Sequence, residues 1–256
     1  MREHHQPAFV LLNRPYSESS FITEFFTRDY GRIALIAKGA RRIKSPFRGA
    51  LLPFTPLLIS WSGKGDVPTL TGAELDRTAL EVVDAELSGD ALICGFYCNE
   101  LITYLLHRYD PHPKLFDRYA EALQRLHRCE QSGLPRELRE FERIIMRETG
   151  YEVNFELESD HKTAIVAQQT YLYDELAGGF RTCSQQHPRA IMGSVLLGLA
   201  DESREPLNAK QLSRGKQVMR DILSHSLGHK KIHSRALFVR SLNTGSARDS
   251  TQNHGS

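Results

Sequence analysis

Residues 28–48 read RDYGRIALIAKGARRIKSPFR, and this stretch decides how the chain begins. Seven of its residues are basic (Arg28, Arg32, Lys38, Arg41, Arg42, Lys44 and Arg48) against a single acid, Asp29. A disordered basic tail would lack Ile33, Leu35 and Ile36 and the flanking FITEFFT and LLPFTPLLISW segments, which need a core to bury them. The charge therefore belongs to a folded β scaffold, and a polyanion such as a nucleic-acid backbone is the first ligand to consider. The competing reading is a solvated strand-turn-strand edge whose Lys and Arg block aggregation.

Around that stretch the first 80 residues are short apolar runs cut by turn signals. AFVLLN, FITEFFT, RIALIAKG, LLPFTPLLISW and PTLTGAEL are separated by RPYSES, RDYG, the basic loop and SGKGD. Gly31, Gly39, Gly63 and Gly65 punctuate these strands, and Pro53 and Pro56 push theirs toward an edge or a bulge. The spacing predicts a five-stranded OB-type barrel over residues 1–80, with an SH3-like barrel as the alternative.

Near residue 81 the apolar period changes from two to 3.6. Leu92, Ile93, Phe96, Tyr97, Leu101, Ile102, Leu105 and Leu106 predict a helix that ends before Pro111. Pro113 suits the first turn of a second helix, striped by Leu115, Phe116, Tyr119, Leu123 and Leu126. A third starts around Pro135, with Gly150 as its C-cap. QTYLYDELAGGFRTC then reads as two strands about a Gly178-Gly179 turn, a hairpin inserted at about 157–186 in a helical domain of residues 81–241. Helices are expected again at about 189–200, at 209–226 and, shorter, at 233–241. The stretch NTGSARDSTQNHGS at 243–256 holds no large apolar group, and residues 242–256 are expected to be disordered. The fold class predicted is α+β: a barrel, then a helical bundle with a small inserted hairpin.

The 256 residues are 40% apolar and 25% charged, the composition of an ordinary globular protein. A net charge of +2 conceals three blocks. Residues 1–80 hold 11 Lys+Arg against 7 Asp+Glu, residues 81–160 hold 9 against 17, and residues 161–256 hold 13 against 7, or +4, −8 and +6. A polyanion would be drawn to both ends and repelled by the middle. No apolar run reaches the roughly 20 residues of a membrane helix, and MREHHQPAF lacks the apolar core of a signal peptide, so a cytoplasmic location is expected. Four irregularly spaced cysteines, Cys94, Cys98, Cys129 and Cys183, fit a reducing compartment.

Catalytic constellations are missing. Ser62-Gly63-Lys64-Gly65-Asp66 lacks the first glycine and the hydroxyl of a P-loop, and neither a GxSxG elbow nor an HExxH pair occurs. His225, His229 and His233 fall four residues apart and would align for a metal on one helix, but Gly228 interrupts it, and a solvated basic face is the competing reading. Cys94 and Cys98 lie in the apolar stripe and read as core. Glu137, Glu140 and Glu142 alternate with Arg136, Arg139 and Arg143 as on an exposed helix with internal ion pairs. With no nucleophile, base and orienter together, a non-enzyme with no cofactor is expected.

Arg32-Ile33-Ala34-Leu35-Ile36-Ala37-Lys38-Gly39-Ala40-Arg41-Arg42, followed by Arg48-Gly49-Ala50-Leu51-Leu52-Pro53-Phe54-Thr55-Pro56-Leu57, resembles the bacterial recombination mediator family RecO. Phe9-Val10-Leu11 before Arg14-Pro15-Tyr16-Ser17-Glu18-Ser19 is similar to that family's first strand and turn, and Gly150-Tyr151-Glu152-Val153-Asn154-Phe155 to its segment after the bundle. The resemblance spans roughly residues 7–240. It implies an OB-type domain, a helical domain and, in many members, a four-cysteine zinc element. This chain departs from the last feature, with Leu157-Glu158-Ser159-Asp160 and Cys183-Ser184-Gln185-Gln186 where two CxxC pairs would stand. One cysteine cannot make a tetrahedral site, so no zinc is expected and packing should hold the hairpin.

The resemblance also implies DNA repair and recombination: binding of single- and double-stranded DNA, annealing of complementary strands without ATP, and loading of recombinase onto DNA coated with single-stranded-DNA-binding protein, together with RecR in the cytoplasm at the nucleoid. An annealer must leave base edges free, so phosphate contacts should dominate, and Arg32, Lys38, Arg41, Arg42, Lys44 and Arg48 are the expected contacts. Trp61 or Phe47 either stacks on bases or belongs to the core. Lys210, Arg214, Lys216 and Arg220, extended by Lys230, Lys231 and Arg235, form either a second strand-binding patch or a solvated helix face. Leu138-Arg139-Glu140-Phe141-Glu142 is similar to the family's segment that docks the acidic tail of single-stranded-DNA-binding protein, which implies that Leu138, Arg139 and Phe141 receive it, with Arg139 pairing a carboxylate. Rival functions are an RNA-binding OB accessory protein, which would exploit 2′-hydroxyl contacts, and a metal-dependent hydrolase on the three histidines.

Overall fold

The computed structural model describes residues 2–47, 49–82, 87–201, 207–228 and 230–234. They fall into two compact units, one running to Phe141 and resumed at Lys231, the other covering Glu142–Lys230.

The first unit opens with β1 (Arg2–Tyr16), β2 (Ser20–Thr27), β3 (Gly31–Ala37), β4 (Pro56–Ser62) and β5 (Thr69–Leu75), closed into a barrel in the order β1-β2-β3-β5-β4. Neighbours are antiparallel except β3 and β5, which run parallel and meet with Ile36 opposite Thr69. Alternation along the strands sends Val10, Phe25, Ile33, Leu35, Leu57, Ile59 and Trp61 into the interior. Their neighbours Phe9 and Phe26 face the other way and are also buried, because they meet Phe116 and Tyr119 at ring-centroid distances of 5.1–6.1 Å. The α+β class and the OB-type barrel expected from the sequence are what the chain adopts.

One boundary differs. β1 extends through Arg14-Pro15-Tyr16, where the sequence reads as a turn. Proline is tolerated there because the pairing of β1 with β4 ends at Phe9, so Pro15 pairs only with Phe21 of β2. A bulge between Val10 and Leu12 turns carbonyls away from the ladder, and the buried Asn99 amide donates to the carbonyls of Leu11 at 3.0 Å and Val10 at 3.4 Å.

After α1 (Arg77–Val82), this unit continues with α2 (Gly89–Leu105), α3 (Pro113–Arg128), a 3-10 turn at Gln131–Gly133 and the start of α4 (Leu134–Glu148). Pro113 occupies the first turn of α3, as its fixed φ favours. The α2–α3 connection comes so close to the barrel that a Cβ at Gly31, whose φ is +63°, would sit 1.9 Å from the Asp110 carbonyl oxygen. Two acids of α4 also meet the neighbouring helix: Arg125 of α3 lies 2.8 Å from Glu137 and 3.7 Å from Glu140. Glu142 is fully buried, so the face that carries it is not a solvated one.

The second unit holds β6 (Thr170–Asp174), β7 (Gly179–Thr182) and β8 (Ile191–Met192), in the order β7-β6-β8, followed by α5 (Gly193–Ala200) and α6 (Ala209–Ser226). The inserted hairpin is thus part of a three-stranded sheet. Ile191 and Met192, read as the first turn of a helix, pair with Tyr171 and Thr170. Phe180 of the edge strand β7, fully buried, packs against Phe155 and Tyr173, each at 5.6 Å. Asn208 and Gln211 form a reciprocal capping box that starts α6. No helix among the described residues is long and apolar enough to cross a membrane.

Candidate nucleic-acid interface

Between β3 and β4 the chain divides its side chains by chemistry. Ala40, Phe47 and Leu51 turn inward and join the barrel core at 7%, 9% and 6% exposure. Lys38, Arg41, Arg42 and Lys44 stay exposed, and Ile43 among them is 82% exposed. The apolar residues therefore anchor the loop as a plug, and the cations ride on its outer surface. Between Asp29 and Asp66 there is no acid at all. Short turns keep the loop tight, with Arg42 N–H donating to the Gly39 carbonyl at 3.0 Å and Ser45 N–H to the Arg42 carbonyl at 3.1 Å. Asn13 secures its far end, donating to the Leu51 carbonyl at 2.9 Å while accepting from the Thr23 hydroxyl at 2.7 Å.

Arg41 also holds the neighbouring β1–β2 turn. Its guanidinium donates to the Ser17 carbonyl at 3.0 Å and its backbone N–H to the Ser19 carbonyl at 3.0 Å. The turn and the loop border an open recess of about 480 Å³ lined in part by Tyr16, Ser17, Ser19, Ser20, Lys38 and Arg42. Serines and two cationic residues around one recess on a plugged barrel end suit phosphate oxygens.

Two arginines of the basic stretch are engaged within the fold. Arg28 makes a two-pronged contact to Asp117, both distances 3.1 Å, and this carboxylate raises its pKa. Arg32 donates to the Leu106 carbonyl at 3.2 Å and to the buried Glu24 at 3.3 Å, and Arg108 binds the other Glu24 oxygen. At 16% side-chain exposure, Arg32 stands apart from the loop cations and joins the barrel to the end of α2. Burial lowers its pKa, with Glu24 opposing that shift. Arg48 lies outside the described residues.

Of the two readings of Trp61 and Phe47, the core reading is correct. Trp61 is 1% exposed and packs edge-on against Tyr30 at 5.2 Å, and Phe47 is part of the plug. Sequence reasoning missed Tyr16, 48% exposed at the rim of the recess. Its position in RPYSES, beside turn residues and facing the KGARR phrase across the strands, was the available signal.

In the second unit α6 carries Lys210, Lys216 and Arg220 exposed, while Arg214 donates to the Ala190 carbonyl and to Gln217, both at 2.8 Å. At about 100° per residue, Lys216 and Arg220 share one side of the exposed arc, and Lys210 and Arg214 lie farther round. Lys230 and Lys231 are exposed, the latter belonging to the first unit, where its carbonyl accepts from Tyr104. Arg235 and His229 lie outside the described residues. Because α6 ends at Ser226, His225 and His233 do not share a helix.

Leu138 and Phe141 are 8% and 1% exposed, committed to the helical core, with Phe141 6.1 Å from the Tyr119 ring. Only Arg139 of that trio is partly open to solvent, so an apolar groove built from the two neighbours is not present.

The residues also fail to fit a zinc site. Among the described residues no group of three or more His, Cys, Asp or Glu is placed to hold a metal. The two turns are joined by hydrogen bonds instead: the Glu158 carboxylate accepts from Thr182 N–H at 3.1 Å and its hydroxyl at 2.8 Å, and Ser159 N–H donates to the Phe180 carbonyl at 2.7 Å. Asp160 closes its own turn on Lys162 N–H and Thr163 N–H, both 2.9 Å, and the Thr163 hydroxyl at 2.6 Å. These bonds hold its pKa at about 2.

Fold and surface define a plugged OB-type barrel with a basic loop, built onto helices, followed by a small sheet-and-helix unit. The chain belongs to the RecO family. Residues 1–78 match the model for the N-terminal part of recombination protein O and residues 86–236 that for its C-terminal part. It is 41% identical over 233 residues to the DNA repair protein RecO of Aromatoleum aromaticum, covering 90% of this chain and 92% of that one. The DNA repair protein RecO of Nitrosospira multiformis is 41% identical over 239 residues, 92% and 95% of the two chains. That of Burkholderia pseudomallei is 40% identical over 236 residues, 91% and 82%.

Proposed function

We propose that this protein is a non-enzymatic mediator of DNA repair and recombination, which binds single- and double-stranded DNA through the plugged end of its barrel and anneals complementary strands without ATP. The observation that carries this is the outward set of Lys38, Arg41, Arg42 and Lys44 on a loop fixed by Ala40, Phe47 and Leu51. A rigid cationic surface neutralises phosphates and releases counterions without reading sequence. Two strands gathered that way keep their base edges free to pair. Residues 1–80 act as the nucleic-acid domain and residues 81–241 as the helical domain, with Lys216 and Arg220 on α6 as the second contact. The work is cytoplasmic, at the nucleoid, where the DNA is.

Membership of the RecO family supports the wider role: loading recombinase onto DNA coated with single-stranded-DNA-binding protein, with RecR as partner and Arg139 as a contact for the coating protein's acidic tail. The test is annealing without nucleotide, with and without the coating protein, by wild type and by Lys38→Glu/Arg41→Glu/Arg42→Glu. Annealing should fall at least tenfold with the chain still folded, and Lys38→Glu/Arg42→Glu, which leaves the Arg41 bond to Ser17 in place, should show the same direction with the melting temperature kept. Unchanged annealing rejects the proposal, and a preference for RNA over DNA of equal sequence would favour an RNA accessory role.

A further inference from the structure

The recess beside the loop has a composition that pure phosphate binding does not need. Three features meet there. Tyr16 ends β1 opposite Ser20 of β2, and the β2–β3 pairing ends with Phe21 opposite Ala37, the residue before Lys38. Gly39 N–H donates to the Ser20 hydroxyl at 3.4 Å, in keeping with the approach of the three strand ends. The turn between Tyr16 and Ser20 is held by Arg41 and includes Ser17 at a φ of +54°, a conformation rare for serine and fixed here by its neighbours. The outcome is an aromatic residue, 48% exposed, that lines an open recess together with Lys38, Arg42 and three serines. Glu18, on the same turn, is exposed and does not line the cavity.

We infer that this recess is a seat for one nucleotide of single-stranded DNA, with its phosphate between Lys38 and Arg42 and its base stacked on Tyr16. The inference rests on the DNA-binding reading above and adds a base contact to it. Every base offers a π-face, so stacking holds a strand without choosing its sequence. A duplex keeps those faces stacked within itself and can offer this recess only phosphate. Tyr16 therefore sets the preference for unpaired strand over duplex, and the cations set affinity for either. Base edges remain free when a face is stacked, as pairing with a second strand requires.

The experiment compares binding of a thymidine oligonucleotide and an abasic oligonucleotide of equal length by the full chain at fixed salt. Wild type should prefer the thymidine strand by about tenfold, the size of one aromatic stacking contact. Tyr16→Leu should bring the two affinities together, and Tyr16→Phe, which keeps the ring, should restore the preference. Equal binding of both oligonucleotides by wild type overturns the inference, as does a preference that survives Tyr16→Leu. Lys38→Glu/Arg42→Glu reports on the underlying reading: it should weaken both oligonucleotides together, and if neither is weakened the interface itself is misplaced.

Discussion

Arg32 of β3 donates to Glu24 of β2 at 3.3 Å, and the carboxylate it reaches is only 3% exposed. The pair lies in adjacent strands opposite the end of α2 and is completed by Arg108 on the second Glu24 oxygen. A basic residue in the middle of the most basic stretch is therefore a structural tie. Its removal leaves a buried acceptor short of a donor, though not wholly unpaired. Arg32→Ala should cost about 1–3 kcal/mol of stability. Denaturant unfolding checks this, and the salt dependence of DNA affinity should keep the wild-type slope. A stable variant with weakened DNA binding would return Arg32 to the interface.

Asn99 is a second tie within the first unit, between α2 and the β1 bulge. It donates to two barrel carbonyls and accepts from the buried Tyr119 hydroxyl. Asn99→Leu keeps the branching of the side chain, is somewhat larger and strands three polar groups, so a destabilisation of about 2–4 kcal/mol is expected by chemical denaturation. The companion Tyr119→Phe, which removes one donor, should cost less, about 1 kcal/mol.

Metal should be irrelevant to the second unit. Purified protein should hold no stoichiometric zinc by elemental analysis, and chelator should leave its melting temperature unchanged. Glu158→Ala breaks both bonds to Thr182 and should cost about 1–2 kcal/mol. Zinc at one ion per chain would contradict the hydrogen-bonded arrangement.

The Asp160 turn has a defined acid limit. Its carboxyl is held at about 2 against an ordinary 3.8, first by the Thr163 hydroxyl and then by backbone N–H groups. A depressed folded pKa contributes stability that is fully present above 3.8 and is lost as pH falls through about 2. The carboxyl resonance of Asp160 should therefore stay that of a carboxylate at pH values where free aspartate is protonated. A titration midpoint near 3.8 would mean that the turn is open.

Much of the fold is legible from residue pattern. The period-two runs, with glycine between them, point to the barrel, and Pro113 and the Leu115/Phe116/Tyr119 stripe point to α3. β8 is not legible, because two residues have no period. Nor is the separate role of each cation in the basic stretch: Arg28 and Arg32 look like Arg41 and Arg42 until Asp117 and Glu24, distant or on another strand, are brought beside them. Tyr16 is hidden for the opposite reason. Its exposure depends on where β1 ends and on the turn that Arg41 holds. Leu138 and Phe141 match a docking motif in sequence, yet the fold uses them as core.

The salt dependence of single-stranded DNA affinity tests the central claim most directly, for wild type against Lys38→Glu/Arg42→Glu/Lys44→Glu. Removing one phosphate contact should lower the slope of log affinity against log salt by about 0.7 for a single strand, so the triple variant should have a slope smaller by about 2 and bind far more weakly at low salt. A variant that remains folded with the wild-type slope and affinity would contradict the assignment of the plugged barrel end as the DNA interface.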